Sequence, residues 1–271
     1  MLIKVSNFSL DRTLNSGQIF SFFKIKDYWY SFIDKPIAIK QDGNEIEFIG
    51  LYKNEVNKLF GLNDKIDEIK AEIDKDDFID RAIRYSGSLR VVNGGLWPTT
   101  LSFILSIQSN INLIKRRILD MSNFYGKLGE INKLKLKSFP SFEDIYSKGY
   151  ETLKQFKLGF RTKFVFSAAS YFYSHEMNEN LSIKDLSKRL LEIYGVGEKV
   201  LDCIRLYGLH DLSAFPMDVW ILRTLSIYYN NIIGKYKSYR DKRNAIVDYF
   251  GEYAGYAQLF IYDYSRLNGI K

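Results

Sequence analysis

Two residues that lie 19 positions apart, Lys199 and Asp218, are the strongest candidates for catalytic groups in this sequence. Lys199 follows the tripeptide Gly195-Val196-Gly197. Because amphipathic stretches flank the glycines, the pattern predicts two helices joined by a tight turn. Lys199 then lies in the first turn of the second helix, where the positive end of the helix dipole favours a neutral, nucleophilic amine. The backbone N–H groups at such a helix start also form a site for an anion such as a phosphate.

Asp218 follows Phe215-Pro216-Met217 and precedes another helical stretch, which predicts that it is the N-cap of that helix. Backbone N–H groups at an N-cap would hold the carboxylate, which would remain ionised at neutral pH. Each feature also has a simpler interpretation: the glycines as a turn without a ligand, Asp218 as a helix cap, and Lys199 as a solvated lysine. The three together favour a nucleophilic amine beside a carboxylate and an anion site.

The composition excludes several other kinds of site. The 271 residues include one cysteine, Cys203, and two histidines, His175 and His210. One cysteine cannot form an intrachain disulfide or a four-cysteine metal site, and the two histidines lack metal-ligand spacing. We therefore predict no metal ion and no other cofactor.

The sequence also favours a cytoplasmic protein with an anionic partner. No apolar run reaches the roughly 18 residues of a membrane span, and the N-terminus lacks the pattern of a signal peptide, so we expect no membrane contact. The formal charge of +7 is a mild indication of an anionic partner. The abundance of Ile, Lys, Asn, Tyr and Phe, with four prolines, indicates an AT-rich prokaryotic genome.

The periodicity predicts an α+β fold. Alternating or β-branched runs at 28–33, 37–40 and 45–49, with an Asp42-Gly43 turn, predict an antiparallel sheet. After Leu51 the apolar spacing becomes helical, and from Trp97 onward we predict an almost wholly helical chain. Gly87 and Gly94-Gly95 interrupt the helices. We therefore predict an N-terminal antiparallel β domain with helices at 1–90 and an all-α domain at 91–271. The helices are predicted at 54–60, 66–73, 77–83, 111–124, 161–173, 182–194, 199–207, 219–229, 241–249 and 253–264, with a short one after an N-cap at Ser141.

The helix–Gly195-Val196-Gly197–helix that contains Lys199, followed by Pro216-Met217-Asp218, resembles the helix-hairpin-helix DNA glycosylase superfamily. The lysine points to the bifunctional branch, and the whole chain, from about residue 10 to about residue 265, resembles an 8-oxoguanine DNA glycosylase/AP lyase. Further segments resemble that family's motifs and occur in its order: 14–20, 106–111, 158–161 and 253–258.

The resemblance implies base excision repair of double-stranded DNA that contains oxidised guanine, by an enzyme that can act as a monomer. It implies a TBP-like N-terminal domain, Lys199 as the nucleophile at C1′ of the sugar, and Asp218 as the group that stabilises positive charge on that sugar. β-Elimination 3′ to the lesion would follow. The residues implied to hold the extruded base are Gly17, Cys203, Gln258 and Tyr262. Those implied to contact the rest of the DNA are Gln108, Phe160, Arg161, Gly195 and Gly197.

Several positions depart from the family pattern. Tyr194 replaces the proline that usually precedes the hairpin glycine. Leu113 stands where animal members have an arginine that reads the cytosine opposite the lesion, which predicts weak discrimination of the opposite base. Trp220 and Ser265 stand where animal members have a histidine and an aspartate, so any support that such a pair gives the site is absent.

Two other functions remain open from the sequence. A glycosylase for alkylated or other damaged purines shares this architecture, but alkylated purines leave as cationic bases and need no lysine. A non-catalytic helix-hairpin-helix DNA-binding module would need neither Lys199, nor Asp218, nor a base pocket.

Overall fold

The structure, a computed structural model, describes residues 1–177 and 181–269. Part of this chain forms an antiparallel sheet near the N-terminus, and its strands follow the order β1-β5-β4-β3-β2 across the sheet. The strands are β1 (Leu2–Lys4), β2 (Phe23–Ile25), β3 (Tyr28–Phe32), β4 (Pro36–Asp42) and β5 (Glu45–Ile49).

Alternating side chains explain why the central strands form. Trp29, Ile39 and Phe48 are buried against the main core and belong to adjacent strands, where Trp29 pairs with Ile39 and Ile39 with Phe48. Gly43 has a φ of +53° in the turn between β4 and β5, which confirms the predicted hairpin. The sequence did not predict β1 and β2; all three residues of β2 are exposed, so no apolar alternation indicates this strand.

A second hairpin, β6 (Leu128–Ile131) and β7 (Leu134–Lys137), lies far along the chain from the sheet that it contacts. Its Ile131 and Leu136 form a small apolar cluster with Tyr30 and Ala38 on the face of the sheet away from the main core. The prediction of an almost wholly helical chain after Trp97 is therefore wrong for these residues. The α+β fold class is confirmed.

Helices make up most of the remaining described chain. In order they are α1 (Leu10–Asn15), α2 (Lys53–Leu59), α3 (Ile66–Ile73), α4 (Asp77–Ser86), α5 (Leu96–Ser106), α6 (Ile111–Tyr125), α7 (Phe142–Lys148), α8 (Arg161–Ser174), α9 (Ile183–Glu192), α10 (Glu198–Gly208), α11 (Val219–Tyr228), α12 (Asn230–Ile233), α13 (Tyr239–Phe250) and α14 (Ala254–Leu267). Short 3₁₀ helices occur at Tyr150–Phe156 and Gly251–Tyr253. No helix in the described ranges is both long and apolar enough to cross a membrane.

The packing of α10 and α14 positions the residues that carry the predicted chemistry. Helix α10 packs on α5 and α9, and α14 packs on α3, α4, α11 and α13. The buried Asp263 of α14 accepts hydrogen bonds from Arg12 (2.6 Å) and Ser86 (2.8 Å), so α14 is tied to α1 and α4. Helices on both sides of the predicted boundary near residue 90 therefore share one apolar core, and the boundary itself stays a prediction.

Candidate active site

A cavity of about 1210 Å³ brings together most of the residues that the sequence singled out. Its wall includes residues from the segment after α1, the end of α5, the turn before α10, α10 itself, the start of α11, and α14. The predicted residues that line it are Gly17, Gln108, Gly195, Gly197, Lys199, Cys203, Asp218, Gln258 and Tyr262. Phe160 and Arg161 lie outside its wall.

Lys199 and Asp218 approach this cavity from the starts of two different helices. Lys199 is the second residue of α10, is partly buried, and carries its Nζ 5.4 Å from the centre of the Phe103 ring. Asp218 is the N-cap of α11, and its Oδ1 accepts the N–H of Ile221 at 2.9 Å, which confirms the predicted cap. The amine and the carboxylate therefore line the same cavity, and each is held by the start of its helix.

The pKa of Asp218 reflects its burial as well as its cap. Burial raises the pKa of the Asp218 carboxyl group above its ordinary value, although the Ile221 N–H and the nearby Lys199 oppose the shift. The predicted hydrogen bond is present, but the loss of solvent outweighs it. Whether the carboxyl group is ionised at neutral pH, as its cap predicts, stays a prediction.

The two glycines of the hairpin have different environments. Gly195 has a φ of +98°, and a Cβ at this position would overlap the ring of Phe164 on α8. Gly197 is the N-cap of α10 with a φ of −95°, it is exposed, and no atom lies within 4 Å of where its Cβ would be. The protein itself therefore requires a glycine at 195 but not at 197, where the open backbone faces the cavity.

Two side chains and one backbone position form the deeper part of the wall. Cys203 is buried, and burial raises the pKa of its thiol to about 11, which Lys199 only partly offsets, so the thiol is neutral at pH 7. Burial also raises the pKa of Tyr262 to about 12. The Tyr262 hydroxyl lies 3.8 Å from where a Cβ of Gly17 would be, so this backbone approaches α14 closely.

The amide of Gln258 is fixed by two hydrogen bonds. Its Nε2 donates to the carbonyl oxygen of Pro216 at 3.0 Å, and its Oε1 accepts the hydroxyl of Tyr207 at 2.8 Å. Because the Pro216 carbonyl can only accept, the amide nitrogen of Gln258 must face Pro216 and its amide oxygen must face Tyr207. One amide hydrogen and one lone pair of Gln258 remain for a ligand.

Sequence analysis did not identify Tyr207, although a signal for it exists. Tyr207 follows Lys199 and Cys203 at four-residue intervals on α10, so the three share one helical face. Its ring stacks on Phe103 with centroids 5.6 Å apart, and Phe103 in turn lies below Lys199. The i, i+4, i+8 spacing from the predicted nucleophile would have pointed to it.

Arg161 is engaged by backbone carbonyls of the protein. Its side chain is buried, its Nε donates to the carbonyl of Ile107 at 2.7 Å, and its Nη2 donates to the carbonyl of Gln108 at 2.7 Å. In the structure the guanidinium supports the turn that carries Gln108, and the predicted contact of Arg161 with DNA stays a prediction. Gln108 is exposed just beyond the end of α5, with a φ of +48°.

Phe160 is exposed at the start of α8. With 47% of its surface accessible, it is not a core phenylalanine. The Arg161 guanidinium lies 4.4 Å from its ring centre, and the Phe164 ring contacts it edge-on. This aromatic side chain projects from the surface beside the hairpin helices.

The residues that depart from the family pattern have other partners. Ser265 is buried and accepts a hydrogen bond from Thr224 of α11 at 2.8 Å. Trp220 lies in the first turn of the same helix. Leu113 is exposed in the first turn of α6. Within residues 1–177 and 181–269, no group of three or more His, Cys, Asp or Glu side chains is arranged to hold a metal ion.

Known proteins resemble the chain in sequence. No protein-family model matches it. It is 27% identical over 197 residues to a probable N-glycosylase/DNA lyase of Methanothermobacter thermautotrophicus, covering 63% of this chain and 61% of the relative. It is 28% identical over 206 residues to the N-glycosylase/DNA lyase of Saccharomyces cerevisiae, covering 63% and 55%. The matched region thus spans little more than half of these relatives' length.

Solved structures resemble it over almost its whole length. MBOgg1, solved in complex with a low-affinity DNA ligand, matches 99% of this chain and 96% of its own with a TM-score of 0.90 and 28% identity. The 8-oxoguanine glycosylase/lyase of Clostridium acetobutylicum, solved with DNA containing cytosine opposite 8-oxoguanine, has a TM-score of 0.88 over 99% and 98% of the chains at 24% identity. The 3-methyladenine DNA glycosylase of Archaeoglobus fulgidus matches 99% of each chain with a TM-score of 0.76 and 18% identity. The last two likenesses concern the fold alone.

The sequence relatives, the MBOgg1 likeness and the helix–Gly-Val-Gly–helix with Lys199 on a shared cavity agree with one another. The chain is therefore similar, in sequence and in fold, to proteins of the helix-hairpin-helix DNA glycosylase superfamily.

Proposed function

We propose that the protein is a bifunctional DNA glycosylase/AP lyase that removes 8-oxoguanine from double-stranded DNA in base excision repair. The observation that carries the proposal is that Lys199 and Asp218 line one cavity together with the fixed amide of Gln258. The base must enter the cavity after it leaves the helical stack. The cavity volume, about 1210 Å³, exceeds the volume of a purine nucleoside.

In the proposed reaction the neutral amine of Lys199 attacks C1′ of the lesion nucleotide. The C–N bond to the base breaks, and the base leaves with the electron pair and takes up a proton. The carboxylate of Asp218 stabilises the positive charge that develops on the sugar. Ring opening then gives a Schiff base between Lys199 and C1′, loss of a proton from C2′ breaks the C3′–O bond, and the strand is cut 3′ to the lesion.

Base recognition is proposed to use the deeper part of the cavity. The free hydrogen and lone pair of Gln258 suit the O6 acceptor and the N–H donors of a guanine Watson–Crick edge. Cys203 and Tyr262 would cover the two faces of the purine. By resemblance, the carbonyl of Gly17 would accept the N7–H that oxidised guanine has and guanine lacks.

DNA binding is proposed to use the hairpin and the exposed aromatic side chain. The open backbone at Gly197, at the start of α10, suits a phosphate that approaches the N–H groups there. The turn at Gly195 holds that helix start in place. Phe160 would wedge the stack, and Gln108, with its turn held by Arg161, would enter the gap that the base leaves.

The remaining predictions complete the proposal. We infer that the enzyme works as a monomer, without a cofactor, on DNA in the prokaryotic cytoplasm. We also infer that residues 1–90 and 91–271 are its two domains, with Gly17 as the contribution of the first domain to the base pocket.

An excision series on defined duplexes tests the proposal. We expect wild-type protein to release 8-oxoguanine and to cut the strand, and to leave a duplex with an alkylated purine such as 7-methylguanine intact. Release of the alkylated base without strand cleavage would favour the alkylpurine glycosylase. Tight binding without release from either duplex would favour a non-catalytic DNA-binding module.

A further inference from the structure

One peptide unit directly before Asp218 is held at both of its polar ends. Its carbonyl, from Pro216, accepts the amide hydrogen of Gln258 at 3.0 Å. Its N–H, from Met217, donates to the hydroxyl oxygen of Tyr239 at 3.1 Å. Both residues of this peptide are buried, so each of these polar groups needs a protein partner.

Tyr239 connects this peptide to the helix that carries Lys199. While its hydroxyl oxygen accepts the Met217 N–H, its proton goes to Oδ2 of Asp202, at 2.9 Å. Asp202 is fully buried on α10, three residues after Lys199. Tyr239 itself begins α13, so the connection joins three elements that are distant in sequence.

The carboxylate of Asp202 is itself held in place. Arg243 of α13 donates to its Oδ1 at 3.2 Å, and Arg205 of α10 lies 3.7 Å from the same oxygen. Burial raises the pKa of Asp202 to about 6, while Arg243 and the Tyr239 hydroxyl oppose the shift. Because the Met217 N–H can only donate, the Tyr239 oxygen accepts from it and the Tyr239 proton is left for the Asp202 carboxylate.

We propose that Tyr239 is a positioning residue that fixes Asp218 relative to Lys199, through the Met217 N–H on one side and Asp202 on the other. The inference rests on the proposed function, because it assigns Tyr239 a part in the reaction of that site. Tyr239 acts through Asp218 and touches neither the sugar nor the base. A misplacement of about 1 Å between reacting groups can lower a rate by about a hundredfold.

The test compares Tyr239→Phe with a matched control, Tyr229→Phe. Tyr229 is also buried, and its hydroxyl also donates to a carboxylate, that of Asp76 at 3.2 Å, but its hydrogen bond is outside the cavity and away from the Met217 peptide. Each change removes one partly buried Tyr–Asp hydrogen bond, and only Tyr239→Phe also removes the acceptor of the Met217 N–H. The quantities measured are the single-turnover rate constant for 8-oxoguanine release, its amplitude, and the affinity for a duplex containing a tetrahydrofuran abasic-site analogue.

We expect Tyr239→Phe to lower the rate constant by about ten- to a hundredfold while the affinity stays within about twofold. Tyr229→Phe should keep the wild-type rate constant. A protein that is only partly folded would lose amplitude instead of rate, so the two effects are separable. A wild-type rate constant in Tyr239→Phe, or an equal loss in Tyr229→Phe, overturns the inference while the proposed function stands. Absence of excision by the wild-type protein overturns both.

Discussion

The proposed reaction uses Asp218 as a negative charge in a place where a charge is unfavourable. Burial raises the pKa of its carboxyl group, and the N-cap hydrogen bond and Lys199 offset this only in part. A group whose pKa is higher in the folded than in the unfolded state stabilises the fold at low pH and loses that contribution as the pH rises through the folded value. If Asp218 is ionised at neutral pH, as the proposed reaction requires, its charge therefore destabilises the folded protein.

Replacing Asp218 with asparagine should separate stability from activity. Asparagine is also a good N-cap, so the helix start is kept while the buried charge is removed. We expect excision to fall by at least about a hundredfold, because charge stabilisation in the transition state is lost. We expect Tm at pH 7 to rise by roughly 2–4 °C, as for a gain of about 1 kcal/mol in a protein of this size.

The pH dependence checks the sign of that change. The Tm difference between the variant and the wild-type protein should shrink as the pH falls, because the wild-type carboxyl group then becomes neutral as well. Calorimetry from pH 4 to pH 8 measures it. A variant that is less stable at pH 7 than at pH 4, relative to the wild type, would contradict the pKa direction.

Leu113 and Arg161 together predict weak reading of the base opposite the lesion. Leu113 is exposed but has no hydrogen-bond donor, and the guanidinium of Arg161 is engaged by carbonyls of the protein. We expect excision rates of 8-oxoguanine opposite C, T, G and A to lie within about tenfold of one another, since one good hydrogen-bonded base contact contributes about 1–3 kcal/mol.

Leu113→Arg provides the matched comparison. The new guanidinium would supply two donors in the first turn of α6, and we expect it to raise the preference for cytosine by about tenfold or more. A strong preference for cytosine in the wild-type protein, measured in the same series of four duplexes, would contradict this assignment of the opposite-base contacts.

At the scale of single residues, local patterns predicted what depends on local structure. The cap at Asp218 and the turn at Gly195 follow from the helices that the periodicity already indicates. The burial of Arg161 does not, because it depends on the carbonyls of Ile107 and Gln108, more than 50 residues earlier in the chain. The rise in the pKa of Asp218 has the same origin, since burial is a property of the folded chain.

Among the elements, the hairpin before α10 contains two glycines that are present for different reasons. Gly195 is required within the protein by its positive φ and by the ring of Phe164, which also contacts Phe160 and Tyr194. Gly197 has an ordinary φ and open space around it. A glycine that the protein does not require points to a partner that approaches the backbone closely.

Alanine at each glycine tests this distinction. Gly195→Ala should lower the free energy of unfolding by about 1–3 kcal/mol, because both the backbone conformation and the Phe164 contact are disturbed. Gly197→Ala should change stability by less than about 1 kcal/mol. It should nevertheless weaken binding to an abasic-site duplex by about tenfold, since the new methyl group occupies the space proposed for a phosphate.

Thermal unfolding and fluorescence anisotropy measure the two effects. Wild-type affinity in Gly197→Ala would show that no phosphate approaches this backbone. Wild-type stability in Gly195→Ala would show that Phe164 moves away without consequence.

The β6–β7 hairpin shows where element prediction fails. Its strands have four residues each, and the apolar side chains Ile131 and Leu136 are buried only because the sheet offers Tyr30 and Ala38. Short strands of this kind carry too few alternations for their own sequence to distinguish them from a helix. Amphipathic helices such as α3, predicted at the residues where it occurs, bury an apolar face that the sequence displays directly.

In the whole molecule, the candidate active site depends on the packing of the N-terminal segment against the last helix. Gly17 lies two residues beyond α1, and Arg12 of α1 is bound to Asp263 of α14, beside Tyr262. The cavity therefore draws on residues from both ends of the chain. Sequence motifs gave the order of these parts, but only the shared core brings them to one cavity.

The central claim is that Lys199 forms a covalent bond with the sugar of a damaged nucleotide. Borohydride reduction during reaction with an 8-oxoguanine duplex would convert the Schiff base into a stable amine. We expect a cross-linked complex with wild-type protein, an adduct on the peptide that contains Lys199 by mass spectrometry, and no complex with Lys199→Gln. Excision by the wild-type protein without a trapped complex, or equal trapping in Lys199→Gln, would contradict the account.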